Sequence, residues 1–320
     1  MTTVAGPSDR RSLGRTGLEV SSVCIGTSPL ASMPEHYGYE VSEQRAMATI
    51  TAAVRGPFNF IDTSNNYGAG AAERYIGRIL AEAGGLPAGL VLATKADADA
   101  RTGDFSGDRV RRSVEESLER LGLDQVQLMY LHDPEFHLTF AEAMAPDGAI
   151  SALVQLRDEG VLGHLGVAGG EVRLLADFIA TGLIDVVLCH NRFTLVDRSA
   201  EPLMQDACQR GVGFINAAPY GGGILAQGPD AQPRYAYEPA SAAIRDAARA
   251  MQVACAAHDV PLAAAALQFS VRDQRVASTV VGVSAPARID ETARLLSHPV
   301  PDELWAELEL LTPPPEHTLN

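Results

Sequence analysis

Short, almost continuously apolar runs alternate with longer amphipathic segments along most of this 320-residue chain. Such runs are typical of strands buried on both faces of a parallel sheet. The pattern predicts eight strands, at Val23–Gly26, Phe58–Thr63, Val91–Lys95, Gln127–His132, His164–Val167, Val186–His190, Gly213–Ala217 and Thr279–Val283. Amphipathic spacing predicts helices between them, at Glu43–Val54, Ala71–Ala83, Asp108–Leu121, Ile150–Glu159, Glu171–Thr181, Glu201–Arg210, Ala240–His258 and Pro286–Leu296.

Eight strands that alternate with helices predict an α/β fold, the closed (β/α)8 TIM barrel, which usually takes about 250 residues. The additional length is assigned to a hairpin at the barrel floor over Arg11–Val20, a loop over Leu225–Glu238, and extra C-terminal helices near Pro261–Arg272 and Asp302–Leu311. We expect residues 1–320 to form a single domain, with residues 1–10 as a flexible tail. An open doubly wound sheet is the competing fold, but no GxGxxG motif follows the first strand.

Composition excludes several classes of partner. The net charge of −15 and the pI of about 4.9 argue against nucleic acid or an anionic membrane surface. The sequence has no apolar run long enough to span a bilayer and no signal-peptide pattern, so we expect a cytoplasmic protein without a membrane partner. The four cysteines form no CxxC pair, and no metal is predicted. The sequence leaves the oligomeric state open, a homo-oligomer included.

The candidate chemistry lies at the strand ends. Lys95, the only lysine of the chain, closes the third predicted strand, Asp62 ends the second with Tyr67 in the following loop, and His132 ends the fourth. Active sites of (β/α)8 barrels form where strands end, so these side chains are expected to converge. A nearby ammonium lowers the pKa of a phenol from its usual value of about 10. We therefore expect a proton-transfer unit for carbonyl–alcohol interconversion, although such a unit alone would also serve an isomerase or a lyase.

These motifs carry a family resemblance. The segment Phe60–Gly68, with Ala93-Thr94-Lys95 and Leu131-His132 at these separations, resembles the aldo-keto reductase superfamily, and the order of elements is similar from about Arg11 to Leu296. The resemblance implies a nicotinamide dinucleotide across the carboxyl end of the barrel. It implies Tyr67 as general acid/base, Lys95 and Asp62 as its tuning pair, and His132 as an orienting group. The substrate would contact Tyr67, His132, Asn66 and Tyr37.

The coenzyme contacts that the resemblance implies include departures from the family's pattern. Ala168-Gly169 stands where Ser-Asn is frequent, His190 where Gln is frequent, and Ala217 where an aromatic residue is common. The implied contacts are Gly26, Thr27, Asp62, His190, Ala218, Pro219, Tyr220, Gly221, Gly282, Ser284, Arg288 and Thr292. Gly282 replaces a lysine that often selects the 2′-phosphate, which leaves NAD open, whereas Arg288 leaves NADP open.

The segment His190–Leu195 narrows the function, because it is similar to one in the aldose 1-dehydrogenase and pyridoxal 4-dehydrogenase branch. The resemblance implies an NAD(P)-dependent oxidoreductase that oxidises an aldose at C1 to its lactone, with Tyr67 removing the hydroxyl proton. Three alternatives stay open: a pyridoxal 4-dehydrogenase, an aldehyde or ketone reductase, and a cofactor-sensing regulatory subunit. The expected partner is a small molecule, a sugar or an aldehyde.

Overall fold

A computed structural model describes residues 6–314 and Leu319 of the chain. Its strands are β1 (Arg10–Ser12), β2 (Glu19–Ser21), β3 (Val23–Gly26), β4 (Phe60–Asp62), β5 (Val91–Ala96), β6 (Val126–His132), β7 (Leu162–Gly169), β8 (Val186–His190), β9 (Gly213–Ala217), β10 (Arg234–Tyr235), β11 (Glu238–Pro239) and β12 (Val276–Gly282). In these residues β3 to β9 follow one another around a closed parallel barrel, and β12 completes it between β9 and β3. The predicted TIM barrel is confirmed.

Helices cover the outside of the barrel. They are α1 (Pro34–Tyr37), α2 (Glu43–Arg55), α3 (Ala71–Ala83), α4 (Gly107–Leu121), α5 (Phe140–Ala143), α6 (Ala149–Asp158), α7 (Val172–Ala180), α8 (Glu201–Gln209), α9 (Ile224–Gln227), α10 (Ala242–Ala257), α11 (Leu262–Arg272), α12 (Ala287–Leu296) and α13 (Asp302–Leu310). Side-chain caps begin several of them, because Ser42, Ser106 and Ser241 each accept a backbone N–H from the first turn.

The N-terminal hairpin closes the floor of the barrel, as predicted. β1 and β2 pair antiparallel, and Leu13 and Val20 are fully buried in one cluster with barrel-interior side chains such as Phe60 and Leu128. The turn of the hairpin presses against the start of β9. A Cβ on Gly14 would lie 2.3 Å from the backbone nitrogen of Gly213, so only glycine fits this approach.

The segment predicted as a loop over Leu225–Glu238 is more ordered than its proline and glycine content suggests. It contains most of α9 and the short antiparallel pair of β10 and β11. The cause is tertiary: Tyr235 is buried, and its hydroxyl donates to the carbonyl oxygen of Asn191 at 2.7 Å. The segment is therefore fixed to the chain that follows β8, at the carboxyl end of the barrel.

Residues 1–5 of the predicted N-terminal tail lie outside the described residues. None of the described helices is by itself long and apolar enough to cross a membrane. The helices α10 and α11 meet that criterion only when they are taken together, as a pair bent by 100°.

Candidate active site

The predicted catalytic side chains lie side by side on one rim of the barrel. β4, β5 and β6 are adjacent and parallel, and they carry Asp62, Lys95 and His132 at or next to their carboxyl ends. Tyr67 lies in the loop that follows β4. The parallel register therefore explains why residues far apart in sequence converge here.

Lys95 is a buried ammonium with three acceptors. Its Nζ donates to Asp62 Oδ1 at 2.6 Å, to the carbonyl oxygen of Thr63 at 2.6 Å and to Tyr67 Oη at 3.1 Å. The side chain of Lys95 is 2% exposed and that of Asp62 is 5% exposed. An ammonium has three protons to donate, so this site satisfies it fully. A planar guanidinium would not reproduce these single-point contacts, which explains why lysine persists here in a chain otherwise served by arginine.

The phenol of Tyr67 is held in its protonated form. Burial, followed by the charge of Asp62, raises the pKa of Tyr67 well above its ordinary value. The expectation that the pKa of Tyr67 lies below its ordinary value is therefore wrong for the protein on its own, although the ammonium of Lys95 contacts the phenol oxygen. The physical reason is that desolvation of a phenolate and the nearby carboxylates outweigh one cation that is already paired.

His132 adjoins the phenol and is oriented by a carboxylate that the sequence analysis missed. Its ring packs edge-on against Tyr67, with centroids 5.8 Å apart, and its Nδ1 lies 2.6 Å from Asp97 Oδ1. Burial opposes the charged imidazole, but the charges of Asp133 and Asp97 prevail and raise the pKa of His132. A signal for Asp97 was available, because residues two apart on a strand point to the same face, and Asp97 is two residues beyond Lys95.

The loop that presents Tyr67 is fixed by helix α4. Asn65 is buried, and its Nδ2 donates to the carbonyl oxygen of Ser113 at 3.0 Å and to Glu116 Oε2 at 3.1 Å. Arg120 donates to the carbonyl oxygen of Asn65 at 2.9 Å. These contacts hold the loop from behind, so the position of the phenol does not depend on the loop alone.

Asp133 connects the two histidines of the rim. Its Oδ1 lies 3.2 Å from His190 Nε2, and its Oδ2 lies 3.6 Å from His132 Nε2. Asp133, Glu135 and His190 also bring possible ligand atoms within 4.8 Å of one another, a grouping that the sequence did not predict. Glu135 already accepts the backbone N–H of Gly170 at 2.5 Å, and we assign no metal to this group.

The backbone is strained where three strands end. Asp133 follows β6 with φ 44°, Asn191 follows β8 with φ 61°, and Ala218 follows β9 with φ 58°. Residues other than glycine rarely adopt this left-handed region, and such strain concentrates at functional sites. The strained positions therefore mark the same rim as the polar side chains.

The residues expected to hold the coenzyme follow the ends of β3, β8, β9 and β12. Gly26 at the end of β3 pairs in register with Asp62 at the end of β4 and with Gly282 at the end of β12. The ends of these three strands are therefore neighbours. Ser284 follows β12, and Arg288 and Thr292 lie on α12. The residues Ala218, Pro219, Tyr220 and Gly221 follow β9 directly. The rim thus collects the expected contacts along one edge of the barrel mouth.

Three of these residues already have structural tasks. The hydroxyl of Thr27 donates to the carbonyl oxygen of Asp62 at 3.0 Å, and that of Thr292 donates to the carbonyl oxygen of Arg288 at 2.7 Å. At Gly221 an added Cβ would lie 2.3 Å from the ring of Tyr235. The need for glycine at that position therefore comes from packing, whatever the loop binds.

One orphaned atom fits a nicotinamide. Asn191 is buried, and its Oδ1 has no hydrogen-bond partner in the described structure. An unpaired buried acceptor is costly, and the amide group of a nicotinamide carries the N–H donors that would satisfy it. Asn191 follows His190 at the end of β8, so the residues present at this rim fit the coenzyme that the resemblance implies.

Two of the four expected substrate residues, Asn66 and His132, border one cavity, whereas Tyr67 and Tyr37 are not among its lining residues. This cavity of about 300 Å³ is also lined by Asp97, Ala98, Asp99, Ala100, Gly103, Asp133, Phe136 and His137. Tyr37 donates its hydroxyl proton to Ser28 Oγ at 2.7 Å, and its ring meets that of Tyr237 edge-on, with centroids 6.2 Å apart. Tyr237 was not predicted, because it comes from the segment that sequence patterns assign to a loop.

Comparison with known proteins places this geometry in context. The sequence profile described as the Aldo/keto reductase family matches residues 22–312. The chain is 33% identical to L-galactose dehydrogenase of Arabidopsis thaliana, covering 95% of this chain and 94% of that protein. It is 30% identical to pyridoxal 4-dehydrogenase of Microbacterium luteolum, covering 94% and 96%. It is 33% identical to D-threo-aldose 1-dehydrogenase of a Pseudomonas species, covering 84% and 88%.

Solved structures agree on the fold. The holo form of the aldo-keto reductase AKR11C1 from Bacillus halodurans superposes with a TM-score of 0.79 at 22% identity. The superposition covers 95% of this chain and 96% of that one.

The buried ion pair generates a stability prediction. In Lys95→Met the carboxylate of Asp62 stays buried without its partner, so we expect the free energy of unfolding to fall by about 3–5 kcal/mol. Lys95 lowers the folded pKa of Asp62, so its removal raises that pKa further. The loss should therefore grow as pH rises above the wild-type folded pKa of Asp62, which already lies above the ordinary value. Urea unfolding at several pH values measures this. Adding Asp62→Leu should recover much of the loss; a double variant no more stable than Lys95→Met would contradict the account.

Proposed function

Because this chain belongs to the aldo/keto reductase family and is an NAD(P)-dependent oxidoreductase, we propose that it oxidises an aldose at C1 to the lactone. Two of the relatives above are sugar dehydrogenases by name. The single observation that carries the proposal is the contact of Lys95 Nζ with both Asp62 Oδ1 and Tyr67 Oη, with His132 packed against the same phenol.

The four side chains divide the work of proton handling. The coenzyme, when bound at this rim, would supply the hydride acceptor for C1. Tyr67 takes the proton of the C1 hydroxyl, and Lys95 stabilises the phenolate through its hydrogen bond to Oη. Asp62 keeps Lys95 charged and in place. His132 orients the hydroxyl oxygen from the side of the cavity.

Because the phenol of Tyr67 is protonated in the free protein, the rates of oxidation and reduction should depend on pH in opposite ways. Because the pKa of Tyr67 is raised, oxidation should speed up as pH rises, since the phenolate is needed. Reduction of a carbonyl would use the same phenol as an acid and is favoured at lower pH. A reductase would therefore use the same site in the opposite direction. Rates measured across a range of pH separate oxidation from reduction.

The cavity beside His132 supports a neutral, hydroxyl-rich substrate. Its lining offers the carboxylates of Asp99 and Asp133 and the amide of Asn66, which are good partners for sugar hydroxyls. No lysine or arginine occurs among the lining residues in the described part of the chain. A phosphate or carboxylate on the substrate would therefore meet the three carboxylates of Asp97, Asp99 and Asp133, with only the imidazoles of His132 and His137 to oppose them.

We also propose NAD as the coenzyme. Residues 282–292 contain one cation, Arg288, and two acids, Asp290 and Glu291. Arg288 Nη1 lies 2.6 Å from Glu291 Oε2, so its charge is already shared. The chain's single lysine is buried in the barrel, and Gly282 offers no side chain. A 2′-phosphate would therefore find little stabilisation at this edge.

A substrate panel tests the proposed reaction. We expect L-galactose or another aldose to reduce NAD, with pyridoxal a poorer substrate and aldose phosphates poor or inactive, because the carboxylates of the cavity lining repel a phosphate. Absorbance of the reduced nicotinamide measures each rate. Preference for pyridoxal, or turnover confined to carbonyl reduction, would overturn the aldose assignment. Tight coenzyme binding without turnover would point to the sensing alternative.

The role of Tyr67 is tested by Tyr67→Phe. Losing the proton-transfer group should reduce kcat by about 100- to 10,000-fold while coenzyme affinity stays within a few-fold. Steady-state kinetics and fluorescence titration with NAD give the two numbers. Tyr75→Phe, the same substitution at a half-buried tyrosine on helix α3, is the matched control. A Tyr67→Phe enzyme that keeps its kcat would remove this phenol from the mechanism.

The coenzyme proposal predicts a charge-dependent preference. NAD should exceed NADP in kcat/KM by about 10-fold or more, which corresponds to roughly 1.4 kcal/mol. Glu291→Gln frees Arg288 and should improve the use of NADP relative to NAD. Glu303→Gln, on helix α13, is the control for the lost charge. Equal use of both coenzymes by the wild-type enzyme would contradict the proposal.

A further inference from the structure

Asp97 is a fully engaged carboxylate directly behind the proposed catalytic group. It follows β5 and is 2% exposed. Its Oδ1 lies 2.6 Å from His132 Nδ1, and its Oδ2 accepts the hydroxyl of Ser64 at 2.5 Å and the backbone N–H of Asn66 at 3.0 Å. One carboxylate thus contacts both the imidazole and the loop that presents Tyr67.

The backbone of Asp97 is fixed as firmly as its side chain. Its amide donates to Ser113 Oγ at 3.0 Å, and its carbonyl oxygen accepts Arg109 Nε at 3.1 Å. Both partners lie on helix α4, which also holds the Tyr67 loop through Asn65. The carboxylate therefore cannot swing away from the imidazole without disturbing the helix that supports the site.

We propose that Asp97 is a positioning residue of this site, which holds the proton of His132 on Nδ1, leaves Nε2 for the substrate oxygen, and couples His132 to the Tyr67 loop. A carboxylate only accepts hydrogen bonds, so the nitrogen that faces it must carry the proton. The other ring nitrogen is then an acceptor in the neutral imidazole and a donor in the charged one. This inference rests on the proposed function for its catalytic meaning only, because the tautomer belongs to the protein alone.

Other charges also face the imidazole and have to be separated from Asp97. They are Asp133, whose Oδ2 is 3.6 Å from Nε2, and Lys95, Asp62 and Tyr67 on the opposite side. Asp133 acts on the charge of the ring and faces Nε2. Two groups face Nδ1, Asp97 Oδ1 and the hydroxyl of Ser64, whose Oγ lies 3.1 Å away. Because that hydroxyl donates its proton to Asp97 Oδ2, it can only accept from Nδ1, and removal of Asp97 should change which nitrogen of the neutral ring is protonated.

Nitrogen NMR of the histidine-labelled protein, without coenzyme or substrate, tests this directly. The resonance of His132 is identified by its loss in His132→Gln. We expect the neutral wild-type ring to be protonated at Nδ1, with a titration midpoint above the ordinary value of about 6.5. In Asp97→Asn the midpoint should fall and the Nε2–H tautomer should appear. Asp133→Asn should lower the midpoint and leave the tautomer unchanged. An unchanged tautomer in Asp97→Asn would overturn the proposal.

Kinetics add the catalytic readout. Asp97→Asn should lower kcat by about 100-fold, with a smaller effect on KM, and should shift the pH–rate profile. Asp97→Glu, which keeps the carboxylate, should restore part of the rate and the Nδ1–H tautomer. Asp124→Asn, an exposed position at the opposite end of β6, is the control. If the wild-type enzyme turns over no sugar, the proposed function fails while the NMR result still decides the role of Asp97. A normal pH profile in Asp97→Asn would contradict that role.

Discussion

The site depends on keeping one positive charge inside a barrel. Moving an ammonium out of water costs several kcal/mol unless its protons and its charge are satisfied in the interior. Lys95 meets this condition with one carboxylate, one carbonyl oxygen and one phenol. Each acceptor comes from β4 or from the loop after it. The conformation of that loop is therefore tied to the ion pair, and so is the place where the phenol is presented.

Support for the ion pair extends outward in layers. Asn65 and Asp97 are both held by α4, through Ser113 and Arg109. Farther out, Arg120 contacts both the loop backbone and the buried carboxylate of Glu73, at 2.9 Å and 3.1 Å. Charged residues that look like an ordinary solvated helix face in sequence thus form the second layer of the site. Geometry for proton transfer needs such support, because small displacements of the reacting groups weaken it.

How much of the fold and the site can be predicted from the sequence depends on how far apart in the chain the contacting residues lie. Strands β3, β8 and β9 have the predicted bounds, because their apolar runs are interrupted by local turn residues. The convergence of Asp62, Lys95 and His132 follows from parallel topology alone. Asp97 was missed because its spacing from Lys95 indicates the face of the strand but not the contact with His132 on β6. Tyr237 was missed because it belongs to a segment that the sequence pattern predicts as a loop. The pKa of Tyr67 was predicted in the wrong direction, since a sequence shows the neighbouring cation but not the extent of burial.

The raised pKa of Tyr67 changes how Tyr67 and His132 act together as acid–base groups. Burial raises the pKa of the Tyr67 phenol, and the charges of Asp133 and Asp97 raise that of His132, so both groups hold their protons more tightly than they would in water. Such a rim is ready to donate protons, and it becomes a proton acceptor only when another positive charge enters the mouth or the pH rises. An oxidised nicotinamide ring is such a charge. The balance between oxidation and reduction is therefore not set by Tyr67 or His132 alone. It is set jointly by the carboxylates of the protein and by the charge of the bound coenzyme.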